Sequence, residues 1–469
     1  MTGGSSSMCL IALLLAAALV AQAFPLNLFS LGHYGSGGGN GNGNGSGSGS
    51  DIVGGSNAKN GDNSASAGAF AISVVRNPNY NPNGPAQYMR ARAKYGASVP
   101  EGFAKLVSNK GAIGATDAFS VNNDREYLSH VGFGTPLQHF SVDIDTGSAD
   151  VWLFTSETNL VDMPAHPYWN ISQSSTAQRL NDSSWMITYG DGSEASGTAW
   201  TDVVNVGGVT VTDAVVESAT FASDSLLEDT QLTGIFGLAF ALPSHVRPQR
   251  PTVLSTLLPL LDQPLFSVDL RWHADGRYLF GGIDAAVYAA EDQLHYVPLS
   301  DDARFWEFVF TGYHVAGQGY WYLSHWKVIA DTGTTFMLLS TDVVNQYYSQ
   351  VPGAVFTAVD EQGDGYWSYP CDLRLNSNAT SNELPDFSIG FDNDWFATVP
   401  GRFLNYSVLP PEAEPESDQH SAEPSSCMGA LQIVPAGSEF GILGDVFLKA
   451  VYAVFDVGNK RIGFARKTL

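Results

Sequence analysis

The sequence is poor in charge, and its charge is lopsided: 15% of its 469 residues are charged, with 22 Lys and Arg against 47 Asp and Glu. So strong an acidic excess argues against nucleic acid or an anionic membrane surface as a partner. No His-Glu-x-x-His and no nucleophile elbow occurs, so metal-assisted and activated-serine chemistry lack their motifs and neither a metal nor a cofactor is expected. Long amphipathic helical stretches are scarce. Only three cysteines occur, Cys9, Cys371 and Cys427.

What the chain has instead is glycine and short strand-forming runs. Forty-nine glycines, 12% aromatics and 44% apolar residues, with many runs rich in Val, Thr, Phe and Tyr, predict an all-β protein with a substantial core. The run MCLIALLLAAALVAQA ends in Ala21-Gln22-Ala23, a small-x-small cleavage signal, although no Lys or Arg precedes it. It is shorter than the ~20 residues of a membrane span. A signal peptide over 1–23 and a soluble, secreted, extracellular protein are expected. Losing that segment removes Cys9 and leaves Cys371 and Cys427, an even pair that either bridges or stays as two buried thiols; an oxidising compartment favours the bridge. Asn170, Asn181, Asn378 and Asn405 stand in Asn-x-Ser/Thr sequons and are glycosylation candidates there.

Charge divides the remainder. Residues 24–115 hold seven basic and three acidic residues, a net of +4, whereas 116–469 hold fifteen basic and 44 acidic residues, a net of −29. The acidic excess serves solubility, or it marks a protein that works in acid, where protonation relieves self-repulsion. A Gly/Asn/Ser linker covers 35–50, and a basic, Pro-rich approach to a short helical patch covers 77–100; the strand-rich body is expected to begin near Arg125. A detachable basic leader ahead of an acidic body has the form of a self-inhibiting propeptide.

The body repeats itself. SVDIDTGSADVWLF (141–154) and KVIADTGTTFMLLS (327–340) each set an Asp-Thr-Gly-(Ser/Thr) inside apolar residues, at Asp145 and Asp331. Each half later carries a Gly-apolar-apolar-Gly stretch, Gly234–Gly237 and Gly441–Gly444. Two similar lobes, each offering one acid, predict a pseudo-symmetric site.

These motifs, with WMITYGDGSEASG (185–197), TGIFGLAF (233–240), YLFGGIDAAVY (278–288), FWEFVFTGYHV (305–315) and GILGDVF (441–447), resemble the pepsin-like aspartic protease family, in particular its secreted fungal group, from about residue 77 to the end. The resemblance implies a bilobal all-β fold with a central cleft, an N-terminal lobe over 116–302 and a C-terminal lobe over 303–469. It implies an aspartic endopeptidase, a monomer made as a zymogen and acting on protein or peptide substrates, with its own propeptide (24–115) as intramolecular inhibitor. Two departures stand out: Thr233 replaces an acid found in many relatives, and the disulfide near the first catalytic loop of animal pepsins has no cysteines here.

Residue by residue, the resemblance assigns Asp145 and Asp331 to a catalytic pair sharing one proton, because like charges at that range do not both ionise easily. Gly147 and Gly333 allow the tight turns. Ser148 and Thr334 are implied to hydrogen-bond the outer carboxylate oxygens, and Thr146 and Thr332 to cross-link the loops; the alternative for each hydroxyl is a local turn bond. Asp143 adds negative charge to the cleft or has no direct part. Tyr189 at the base and Gly190, Asp191, Gly192 and Ser193 at the tip are implied to form a flap, with Tyr189 bonded to the Trp152 indole. Lys94 is implied to reach the pair and Tyr95 to fill the cleft. Large hydrophobic residues flanking the cut bond are the expected specificity; Asp191 either pairs with a substrate Lys or only favours its turn.

Overall fold

The computed structural model describes residues 68–76, 83–97, 100, 127–159, 166–188, 194–227, 230–240, 244–288, 293–361, 363–373, 383–391, 395–409 and 425–469. The signal, linker, flap-tip and Asn378 expectations lie outside the described residues, as does the boundary at 115. The described chain is the all-β, bilobal fold that the sequence predicts: a 13-stranded sheet, a seven-stranded sheet and a four-stranded sheet.

Both halves build the same local frame around their aspartate. The strand Gln138–Asp145 runs parallel to Gly234–Gly237, pairing Val142 with Gly234 and Asp145 with Gly237. The strand Tyr322–Ala330 likewise runs parallel to Gly441–Leu443, pairing Val328 with Gly441 and Ala330 with Leu443. The strand after each turn, Val151–Phe154 or Met337–Leu339, returns antiparallel to the same brace. These strands are buried on both faces, which is why they read as unbroken apolar runs.

The core is continuous beneath both loops. Trp306, fully buried, donates its indole N–H to Leu238 O at 3.1 Å and so ties the second half to the chain just past the first brace. Burying such side chains stabilises by about 1.5–3 kcal/mol each. The disulfide Cys371–Cys427 is formed, with Cα atoms 5.0 Å apart, and joins the strand Gly365–Pro370 to Ser426–Gly429 beside it in the four-stranded sheet.

Strand structure begins earlier than the expected start near Arg125. The segment Phe70–Arg76 is a strand inserted between Ala274–Phe280 and Tyr127–Phe133. Its period-two pattern explains the placement: Ile72 and Val74 are buried while Ala71, Ser73 and Val75 face out. The lobe boundary at 302 is also crossed, because Val451–Asp456 and Arg461–Arg466 from the end of the chain join the 13-stranded sheet.

Candidate active site

The two Asp-Thr-Gly turns meet face to face. Thr146 N donates to Thr332 Oγ1 and Thr332 N to Thr146 Oγ1, each at 3.0 Å. Each hydroxyl then donates across, Thr146 to Ala330 O at 2.9 Å and Thr332 to Ile144 O at 2.6 Å. Four bonds thus clamp the loops with local two-fold symmetry. All the groups are buried, so losing one hydroxyl strands its partners at about 1–3 kcal/mol.

The clamp sets Asp145 and Asp331 against one another. Gly147 N donates to Asp145 Oδ1 at 2.8 Å and Gly333 N to Asp331 Oδ1 at 3.0 Å. Each glycine also faces the opposite acid: a Cβ at Gly147 would stand 2.4 Å from Asp331 Oδ1, and one at Gly333 would stand 2.3 Å from Asp145 Oδ1. No larger residue leaves both carboxylates where they are.

The outer oxygens differ. Thr334 Oγ1 donates to Asp331 Oδ2 at 2.5 Å. Ser148 lies near enough to lower the Asp145 pKa, but its hydroxyl makes no hydrogen bond of good geometry. Burial raises the Asp145 pKa, Lys94 opposes it, Asp331 adds to it, and the balance is upward. Burial acts the same way on Asp331, but Lys94 and the hydroxyls of Thr334 and Tyr95 outweigh it and the balance is downward. The pair therefore titrates as one unit with unequal halves. Asp143, two residues earlier on the strand, has its pKa raised by burial, then by Asp145 and Asp445.

A helix from the basic segment ahead of the acidic body ends at this pair. It spans Gly84–Lys94, capped by Asn83, whose side chain accepts from Ala86 N at 3.1 Å, with Pro85 in its first turn. Gly96, at φ +84°, ends it and donates to Ala93 O at 2.8 Å. That stop aims the last side chains into the cleft. Lys94 Nζ lies 2.7 Å from Asp145 Oδ1 and 2.9 Å from Asp331 Oδ1. Tyr95 OH donates to Asp331 Oδ2 at 2.6 Å, its ring edge-on between Phe305 and Phe440. Burial by itself favours the neutral lysine, but the two carboxylates more than offset it and the Lys94 pKa lies above its ordinary value.

Trp152 is buried, stacked on Trp185 with ring centroids 6.0 Å apart. Tyr189, Gly190, Asp191, Gly192 and Ser193 lie outside the described residues; the strands leading to them, Gln178–Thr188 and Glu194–Val206, pair antiparallel as a hairpin. Of the sequons, Asn181 is exposed, Asn170 accepts from Ser172 Oγ, and Asn405 holds the Tyr369 hydroxyl at 2.6 Å. Among the described residues no cluster of metal-binding side chains occurs and no helix is long and apolar enough to cross a membrane.

The sequence reading missed several residues at this site. Arg92 pairs with Asp364 at 2.6 Å, and the Tyr88 hydroxyl, one helical turn back, donates to Ile433 O at 2.5 Å. Their four-residue spacing in QYMRARAK was the available signal for a shared helix face. Phe305 opens the FWEFVFTGYHV stretch and Phe440 directly precedes GILGDVF, but nothing in either stretch marks the ring as a neighbour of Tyr95.

Residues 126–467 match the family model of eukaryotic aspartyl proteases. The chain is 36% identical over 409 residues to endothiapepsin of Cryphonectria parasitica, covering 85% of this chain and 91% of that protein. It is 38% identical over 400 residues to aspergillopepsin-1 of Aspergillus fumigatus, covering 84% and 92%. It is 35% identical over 404 residues to penicillopepsin-1 of Talaromyces stipitatus, covering 86% and 93%.

Proposed function

From a chain that belongs to the eukaryotic aspartyl protease family and is a pepsin-like aspartic endopeptidase, we propose a secreted precursor whose catalytic pair is Asp145 and Asp331. One carboxylate takes a proton from a water as its oxygen attacks the scissile carbonyl carbon. The other carboxyl gives its proton to the carbonyl oxygen. The tetrahedral intermediate collapses as a proton passes to the leaving nitrogen and the C–N bond breaks. One shared proton serves both roles, which requires acid pH and two close, buried carboxyls.

The observation that carries this reading is the pair itself, two buried acids on clamped loops within hydrogen-bonding reach of one ammonium. That same ammonium supports the precursor. Lys94 occupies the place of the water and Tyr95 lies against Asp331, so the leader blocks the cleft at neutral pH. As pH falls, Asp145, its pKa raised, loses its charge first, and the Asp331 contact with Lys94 and Tyr95 is lost last, as pH passes through that acid's lowered value. Acid thus frees the leader for cleavage. The strand Phe70–Arg76 leaves its place in the sheet with it.

The signal segment and the disulfide support secretion, and among the described residues exposed Asn181 is the sequon best placed for a glycan. The apolar rings around Tyr95 support a preference for large hydrophobic residues, with a Lys preference resting on Asp191. Acid digestion of an unfolded protein tests the reading. Digestion near pH 4 by the chain first activated at lower pH, abolished by a statine-type transition-state inhibitor, is expected; digestion indifferent to the inhibitor would overturn the assignment.

A further inference from the structure

The leader helix makes a second charged contact, away from the aspartate pair. Arg92 has only 1% of its side chain exposed, and its guanidinium meets the Asp364 carboxylate at 2.6 Å. Its guanidinium lies over the Tyr88 ring, 5.5 Å from guanidinium carbon to centroid, and the Tyr88 hydroxyl is 2.5 Å from Ile433 O and 3.1 Å from Gly365 O.

Asp364 is held in place independently of the leader. It sits where the turn enters the strand Gly365–Pro370; its N–H donates to Asp360 Oδ1 at 2.8 Å, and its carbonyl accepts from Val359 N at 2.7 Å. Three residues on, Trp367 stacks on Tyr348, and buried Gln432 bonds both its N–H and its carbonyl. A cavity of about 440 Å³ lies beside the carboxylate, with walls that include Trp326, Phe356, Trp367 and Val434. Its walls also carry polar Thr341, Asn345 and Ser438, and the rings with one fixed carboxylate suit a side chain with an apolar stem and a cationic head, a planar guanidinium best of all.

The leader's helix keeps this contact close to the scissile position. Arg92 stands two residues before Lys94, an axial advance of roughly 3 Å, on the opposite face of a helix about 10 Å across, a separation that an extended chain covers in about three residues. A substrate running through the cleft as a strand thus brings a side chain to Asp364 within about three residues of its cut bond.

We propose that Asp364 is a specificity-determining residue of the mature enzyme, taking a substrate Arg or Lys in the place that Arg92 holds in the precursor. The proposal rests on reading residues 83–97 as the removable leader. The acid-activated enzyme is given peptides with one Phe-Phe bond and either Arg or citrulline, its neutral isostere, at each of three positions on either side, near pH 5. At one position Arg exceeds citrulline in kcat/KM roughly fivefold to tenfold. Asp364→Asn brings that ratio to about one, and Asp364→Glu restores part of it. Each ratio is measured within one variant, so the amount of folded protein cancels. Peptides cut with a ratio near one at every position, or an Arg preference that survives Asp364→Asn, overturn this inference and leave the catalytic reading standing. Failure of the wild-type enzyme to cut any peptide overturns both.

Discussion

The two Asp-Thr-Gly loops share a backbone and differ in what is packed behind it. Five residues after each aspartate, a carbonyl accepts from the glycine that ends the bracing strand: Asp150 O from Gly237 N at 2.9 Å, Phe336 O from Gly444 N at 3.2 Å. The side chains at these matched positions are opposites. Phe336 is fully buried among rings, 4.7 Å from the Tyr406 centroid. Asp150, equally buried, accepts from His245 N and pairs with the His245 ring at 2.7 Å, with Glu217 beside it. Symmetry is kept where the two acids must meet and given up one layer back. At this matched position the first Asp-Thr-Gly loop is backed by a titratable group and the second by a ring, while buried Asp445, whose N–H donates to Thr334 O, is the acid beside the second loop.

The shared part yields the largest expected effects. Gly147→Ala and Gly333→Ala each push a methyl into the opposite carboxylate, and displacement of about 1 Å at a reacting group costs on the order of 100-fold. Both should lower kcat by at least that factor with the circular dichroism unchanged; an effect at one glycine alone would break the two-fold equivalence.

Next come the cross-linking threonines. Thr146→Val and Thr332→Val should each cost about 2 kcal/mol in chemical denaturation, because each leaves buried partners unsatisfied. Unequal costs would show that one loop is held by something other than the clamp.

The outer hydroxyls should then separate the loops. Thr334→Ala removes a bond that depresses the Asp331 pKa, so the acid limb of kcat/KM should move to higher pH, by about half a unit or more. Ser148→Ala should move it less, since that hydroxyl makes no well-formed bond to Asp145. Equal shifts would remove the asymmetry.

The smallest effect tests the layer behind. Burial, then Asp150, raises the Glu217 pKa well above its ordinary value. The stability tied to its proton is complete below an ordinary glutamate pKa of about 4.3 and is lost as pH rises through the folded value. Glu217→Gln keeps a donor without the charge. It should match wild type near pH 4 and exceed it in Tm by about 3 °C at pH 7. An unchanged pH slope would mean that the Asp150–Glu217 pair does not govern the first lobe's response to neutral pH.

Legibility followed range. Asp145 and Asp331 were readable because a turn motif and its flanking strands are local in sequence, and they recur 186 residues apart. Lys94 and Tyr95 were readable only through family resemblance, yet the Asn83 cap and Gly96 stop that aim them are sequence features in hindsight. The strand Phe70–Arg76 carries its alternation in the sequence, but glycine- and proline-rich neighbours on both sides obscure it. Arg92–Asp364 joins positions 272 apart, and Asp150 meets Glu217 through a strand pairing that no single-chain pattern specifies. Such contacts are products of topology, and composition holds no trace of them.

The most direct test of the central claim is kcat/KM at acid pH for Asp145→Asn and Asp331→Asn, each converted by tagged wild-type enzyme that is then removed. Loss of one half of an acid–base pair should cost roughly 10⁴-fold. The account predicts losses of that order in both variants, with the fold intact by circular dichroism. A variant that keeps a tenth or more of wild-type activity would contradict it.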